Sequence, residues 1–175
     1  MLRLWALLRL LLRARLSLLH WRRTISVVLS HAFDEAAAAL GRKLVATVSV
    51  GTDVVFVPEV AMALAAHGAR YAQRVYTAAE RDYAEGAVGA AERAQRYAAR
   101  FAAKEAVIKA LGLAQIGTNW HDIEVTRQTD GSVGITLHGE AARIAEQRGV
   151  RCKVSLTHCH DYAAALVAAV PETKL

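Results

Sequence analysis

Three residues of this 175-residue chain have types and spacing suited to phosphate chemistry: Asp53, Glu105 and Lys109. Glu105 and Lys109 stand one turn apart in Arg100-Phe-Ala-Ala-Lys104-Glu105-Ala-Val-Ile-Lys109-Ala-Leu-Gly112, an Ala-rich stretch without Pro that reads as a helix with a Gly stop. At about 100° per residue, Phe101, Ile108 and Gly112 line one stripe with Glu105 in its middle, and Lys104 borders it. A carboxylate among apolar neighbours needs a partner, because burying it bare is costly. A dication or a lysine supplies one. The same two residues also fit an ordinary i,i+4 surface pair, which does no more than support its helix weakly.

The second carboxylate, Asp53, lies in a Val- and Thr-rich run, Leu44 to Val57, that reads as a strand. Alternation puts Ser49, Gly51, Asp53 and Val55 on one face, so Asp53 stands beside small residues with room above it for something bulky. Magnesium takes one or two carboxylates and fills its shell with water and substrate phosphates. Asp53 and Glu105 are its candidate ligands if the fold brings them together, with Lys109 placed to stabilise charge growing on a leaving phosphate. Cys152, His158, Cys159 and His160 also cluster, but their spacing matches no common zinc pattern, and a strand would turn Cys159 away from the two histidines. No Gly-rich phosphate loop and no serine in a nucleophile elbow stand in the sequence.

The elements that must position these residues follow from turn and cap signals. Pro58 ends the strand, and Val60 to Ala72 reads as a helix bent near Gly68. Thr77 with Glu80 three residues on is a capping box that restarts a helix. Gly86 and Gly89 loosen the chain before the Glu105 helix, which is expected to begin near Ala91. A loop over 113–119 precedes two alternating runs, from Ile123 and from Val133, around Thr129-Asp-Gly-Ser132, a hairpin signal. Gly139 to Gln147 reads as a helix stopped by Gly149. Cys152 to Thr157 and Tyr162 to Val170 read as a closing strand pair. The sum is α+β, a mostly antiparallel sheet packed against one long helix.

Composition sets the bounds. The chain is 54% apolar and 6% aromatic, so Ala, Leu and Val must fill the interior. Two cysteines make no disulfide framework, and a reduced, cytoplasmic setting is the expectation. The net charge of +6 has one source, six arginines without an acid in residues 1–25. Removing those six leaves 16 basic against 16 acidic residues in 26–175. The body is therefore neutral, and nucleic acid is not expected as a partner. The leader's uncharged runs are too short for a membrane span. It reads as an amphipathic surface helix, an Arg-rich transit peptide or a dispensable extension, the last being preferred. The expected organisation is an extension with a short helix over 1–43 and one domain over 44–172.

Four blocks over residues 46–170 resemble the phosphopantetheinyl transferases, specifically the small holo-acyl-carrier-protein synthases. They are Gly51-Thr-Asp53-Val-Val, Arg74-Val-Tyr-Thr-Ala-Ala-Glu80, the Arg100-to-Gly112 helix, and Ser155-Leu-Thr-His158 before an Ala-rich strand; Asp122-Ile-Glu-Val125 with its hairpin matches as well. The resemblance implies transfer of the 4′-phosphopantetheine arm of coenzyme A to a serine of an apo acyl carrier protein, or of a carrier domain in a fatty-acid or polyketide synthase. It implies that Asp53 and Glu105 bind Mg2+, that Glu105 and Lys109 act in catalysis, and that Arg100, Lys104 and His158 contact CoA phosphates. It also implies a homotrimer with sites between subunits. The alternative is a CoA-binding or interaction module that kept the fold and lost turnover. Three departures stand out: Pro58-Glu59-Val60 where many members carry a docking Arg, Gly112-Leu-Ala-Gln-Ile-Gly117 in place of Gly-Thr-Gly, and the Arg-rich leader.

Overall fold

A computed structural model of the chain describes residues 48–172; the short helix expected over 34–42 and the Arg-rich leader lie outside them. The chain enters on β1 (Ser49–Phe56). It then forms α1 (Val57–Val75), α2 (Ala78–Glu85) and α3 (Ala90–Ala110). The hairpin β2 (Ile123–Arg127) and β3 (Val133–Leu137) leads through α4 (Gly139–Arg148) to β4 (Val150–Cys159) and β5 (Tyr162–Pro171). The strands form two antiparallel sheets, one ordered β1-β5-β4 and one consisting of β2 and β3. The last strand thus sits in the middle of the larger sheet, with the first strand beside it.

The mixed helical and antiparallel architecture agrees with the α+β expectation. The local boundaries shift in informative ways. Pro58 does not end the strand with a gap before the helix: α1 starts at Val57 and Pro58 occupies its first turn, where its missing N–H costs nothing. The bend near Gly68 is a true kink, with φ 53° and ψ −137° inside the helix. Thr77 caps α2 with the reciprocal bonds of a capping box, and α3 ends at Ala110, with Leu111 as its C-cap before Gly112 turns left-handed at φ 60°. The segment read as a loop over 113–119 contains a short 3-10 turn, Leu113–Gln115, and a second, Trp120–Asp122, follows it.

The core is the contact between α3 and the larger sheet. Ala102, Ala103, Ala106 and Ala110 on the helix and Ala163, Ala165, Val167 and Ala169 on β5 are all buried. Small side chains on both sides let helix and sheet approach closely. At Gly51 the approach leaves no room for a side chain, because a Cβ there would lie 2.0 Å from the Ala106 carbonyl oxygen and 2.6 Å from the Ala110 nitrogen. The space expected above the small residues of β1 is filled by the backbone of α3 itself.

This packing corrects the reading of the helix face. The stripe of Phe101, Glu105 and Ile108 is only half-buried; the enclosed face carries the alanines and Val107. Phe101 stacks on Trp120 with ring centroids 5.2 Å apart. Glu105 therefore stands at the edge of the helix–sheet contact and not in the middle of it, where a charged group keeps access to solvent or ligand.

Candidate active site

β1 and α3 bring Asp53 and Lys109 into contact. Lys109 Nζ donates to Asp53 Oδ1 at 2.9 Å and to the Thr52 carbonyl at 2.8 Å. Glu105 lies one helical turn before Lys109, half-buried on α3. The other Asp53 oxygen, Oδ2, is buried and has no hydrogen-bond partner. A carboxylate oxygen enclosed without a donor is unfavourable unless a cation completes it. Among the described residues no group of three or more His, Cys, Asp or Glu is arranged to hold a metal ion. Asp53 on β1 and Glu105 on α3 are hard oxygen donors carried by two elements that pack on each other. That fits a cation which completes its shell with water and phosphate oxygens.

Arg100 lies further back on α3 and is buried, its guanidinium 4.0 Å from the centre of the Tyr83 ring. One of its terminal nitrogens donates to the Arg96 carbonyl, and its Nε, also buried, has no acceptor. Burial pulls the Arg100 guanidinium below the ordinary arginine value. Beside it opens a cavity of about 250 Å³ lined by Tyr83, Arg100, Glu124, Thr126 and Arg127. Arg127 donates to the Tyr83 hydroxyl at 2.6 Å. Tyr83 and Arg127 have no counterpart among the residues singled out in the sequence, since neither lies in a patterned motif and only folding places them around Arg100.

His158 is exposed near the end of β4, opposite Ala163 in register. That register puts it on the same sheet face as Asp53, two strands away.

Lys104 departs from the expectation that it touches a CoA phosphate. It is fully buried, and its ammonium donates to Glu80 Oε2 at 2.8 Å, to the Trp120 carbonyl at 2.9 Å and to the Ile123 carbonyl. An ammonium has three N–H donors, so this geometry leaves none for a ligand. Burial pushes the Lys104 ammonium below the usual lysine value, with Glu80 opposing the shift. The reason Lys104 turns inward is that α3 is packed from several sides, so a residue that borders one stripe faces the β2 hairpin and α2. Glu80 was legible only as the far half of the capping box; nothing in its spacing marks it as the partner of Lys104.

Comparisons with known proteins cover the stretch of chain that holds these residues. A family profile described as the 4′-phosphopantetheinyl transferase superfamily matches residues 49–167. A holo-[acyl-carrier-protein] synthase of Koribacter versatilis (strain Ellin345) is 42% identical over 119 residues, spanning 67% of this chain and 93% of that protein. A holo-[acyl-carrier-protein] synthase of Desulforudis audaxviator (strain MP104C) is 43% identical over 122 residues, spanning 69% and 91%. Among solved structures, the Chronobacterium ammoniagenes ACPS-CoA complex superposes with a TM-score of 0.60 at 33% identity, covering 71% of this chain and 97% of that one.

Proposed function

Because this chain belongs to the 4′-phosphopantetheinyl transferase superfamily, as an enzyme of the holo-[acyl-carrier-protein] synthase family, we propose that it moves the 4′-phosphopantetheine arm of coenzyme A to a serine hydroxyl of an apo acyl carrier protein or carrier domain. The serine oxygen forms a new bond to the phosphorus that carries pantetheine, and the bond from that phosphorus to the bridging oxygen breaks. The products are holo-carrier protein and adenosine 3′,5′-bisphosphate. The observation that carries this reading is the meeting of Asp53 and Lys109 beside Glu105, with one Asp53 oxygen enclosed and unpartnered.

Asp53 and Glu105 would hold Mg2+, which supplies Lewis-acid polarisation of the pyrophosphate when bound. Glu105 takes the serine proton, directly or through a water, and passes it to solvent. Lys109 leaves Asp53 for the phosphate and stabilises the negative charge that grows on the departing group. The nucleophile belongs to the carrier, so the chain needs none of its own. Arg100 and His158 contact CoA phosphates; the buried, unpartnered Nε of Arg100 beside a cavity shared with Arg127 supports that role. Lys104 acts from the interior.

The chain works as a homotrimer with sites between subunits. Supporting this, the outer face of the larger sheet carries Ala164, Leu166, Ala168 and Val170 of β5 with Val54 of β1, all only partly buried in the single chain. A cytoplasmic location is part of the same reading, as is a place in fatty-acid biosynthesis. No helix among the described residues is long and apolar enough to cross a membrane. With Glu59 exposed in the first turn of α1, the partner carrier is selected by contacts other than an arginine at this point.

Intact mass of apo carriers after incubation with this protein, CoA and Mg2+ tests the proposal. The expected result is a gain of roughly 340 Da on the carrier, abolished by EDTA and by Glu105→Ala. No gain on any carrier, with Mg2+-dependent CoA binding intact, would favour a binding module that has lost turnover.

A further inference from the structure

We propose that Lys104 and Glu80, through their buried ion pair, are positioning residues that fix Glu105 for the transfer reaction. The inference rests on the transferase reading above.

Three observations carry it. First, both residues are enclosed, Glu80 at 1% and Lys104 at 0% exposure, and apart from the Glu80 bond to its own helix cap, the bonds below run to other elements. Glu80 Oε2 accepts from Lys104 and from the Thr77 N–H at the start of α2, while Oε1 accepts from the Val125 N–H of β2 at 2.9 Å. Lys104 adds the carbonyls of Trp120 and Ile123. One pair thus ties α3 to α2, to the 3-10 turn at Trp120 and to the β2 hairpin. Second, Lys104 is the residue immediately before Glu105. Successive helical residues are separated by a fixed rotation and rise, so holding the helix at one residue sets the Cα–Cβ direction of the next. Third, the residue immediately after Glu105 is locked from another side, since the Ala106 backbone lies directly against Gly51. Both sequence neighbours of Glu105 are therefore held, one by charge and hydrogen bonds and the other by backbone contact. The backbone that carries the half-buried Glu105 carboxylate is fixed on both sides.

A buried pair of this kind is poor evidence of a gain in stability, because the cost of removing two charges from water consumes most of their attraction. What a fully satisfied network supplies is a unique arrangement. Here that arrangement determines the rotation of α3 about its axis at Glu105. Small errors in placing a reacting group cost large factors in rate, so the pair acts on turnover more than on binding.

Lys104→Met alone would leave Glu80 charged and unpaired in the interior, and that variant is expected to fold poorly. Glu80→Gln keeps an oxygen for the Val125 N–H but leaves the Lys104 ammonium buried without its carboxylate, so its folding is checked by circular dichroism, while Lys104→Met with Glu80→Gln removes both charges together. Wild type and these two variants are compared in steady-state transfer from CoA to an apo carrier, and in calorimetric titration of their CoA complexes with Mg2+. The expected result is a kcat at least about tenfold lower in both variants, Mg2+ bound several-fold more weakly, and a KM for CoA within about twofold of wild type. The two losses should be similar, because both variants disable one pair. Unchanged kcat and Mg2+ binding in a folded variant overturns the proposal. So does a roughly tenfold rise in the KM for CoA at unchanged kcat, which would make Lys104 a phosphate ligand. A wild-type protein that modifies no carrier refutes the transferase reading instead, and the positioning role falls with it.

Discussion

Asp53 holds two opposed environments on one carboxylate. Its Oδ1 is neutralised by Lys109 at 2.9 Å, while Oδ2 is buried without a donor. Such an oxygen is kept at a cost in stability, which makes sense at a site where a cation or a substrate group completes it. Asp53→Asn tests this directly. The amide retains an oxygen for Lys109 and removes the negative charge, so transfer should fall at least about a hundredfold. The urea midpoint should change little, because the pair that Asp53 makes with the exposed Lys109 is screened by solvent. A large drop in the midpoint with residual activity in proportion to folded protein would show that Asp53 serves the fold and not the chemistry.

At the scale of elements, the decisive contact is α3 lying on β1. An Ala face on the helix and Gly51 on the strand allow it, and no other residue fits at 51 without moving backbone. Gly51→Ala should therefore destabilise the fold by about 3 kcal/mol or more, since overpacking against backbone is not relieved by a rotamer change. Guanidinium or urea unfolding measures it. A loss below about 1 kcal/mol would mean that α3 and β1 shift apart easily, and the argument that Ala106 is held in place would fail with it. Gly68 makes a useful contrast. It adopts φ 53° in the kink of α1 but has open space around it, so a side chain there meets backbone strain without a clash.

For the molecule as a whole, alkaline pH offers a test of the packing near β4. Burial pushes the Cys152 thiol up from 9.0 to about 11, and burial also raises the Tyr76 and Tyr97 hydroxyls. A raised value means the folded chain holds its proton when the unfolded chain has released it. The contribution of Cys152 is therefore whole below pH 9 and is lost as pH climbs through about 11. Native protein should lose stability across that range, and Cys152→Val should lose less, read as urea midpoints at stepped pH. Equal slopes for the two proteins would place Cys152 in a more solvated setting than β4 and α4 provide.

Local signals made most of the elements legible. The Thr77 capping box, the Gly112 and Gly149 stops, the Asp-Gly hairpin turn and the Gly68 break depend on a few adjacent residues, and each appears where those residues stand. The four sequence blocks likewise sufficed for the family, because their residue types and order are carried in the chain itself. What the sequence could not supply is anything that depends on which surfaces meet. The half-buried setting of Glu105, the Asp53–Lys109 pair, the pairing of β1 with β5 and the inward turn of Lys104 onto Glu80 all join residues far apart in the chain. Helical spacing says which side chains share a face, but not which face will be covered. Only the packing of α3 against the sheet, α2 and the β2 hairpin made the alanine face the core and Lys104 an interior residue, while leaving Glu105 at the edge where a ligand can reach it.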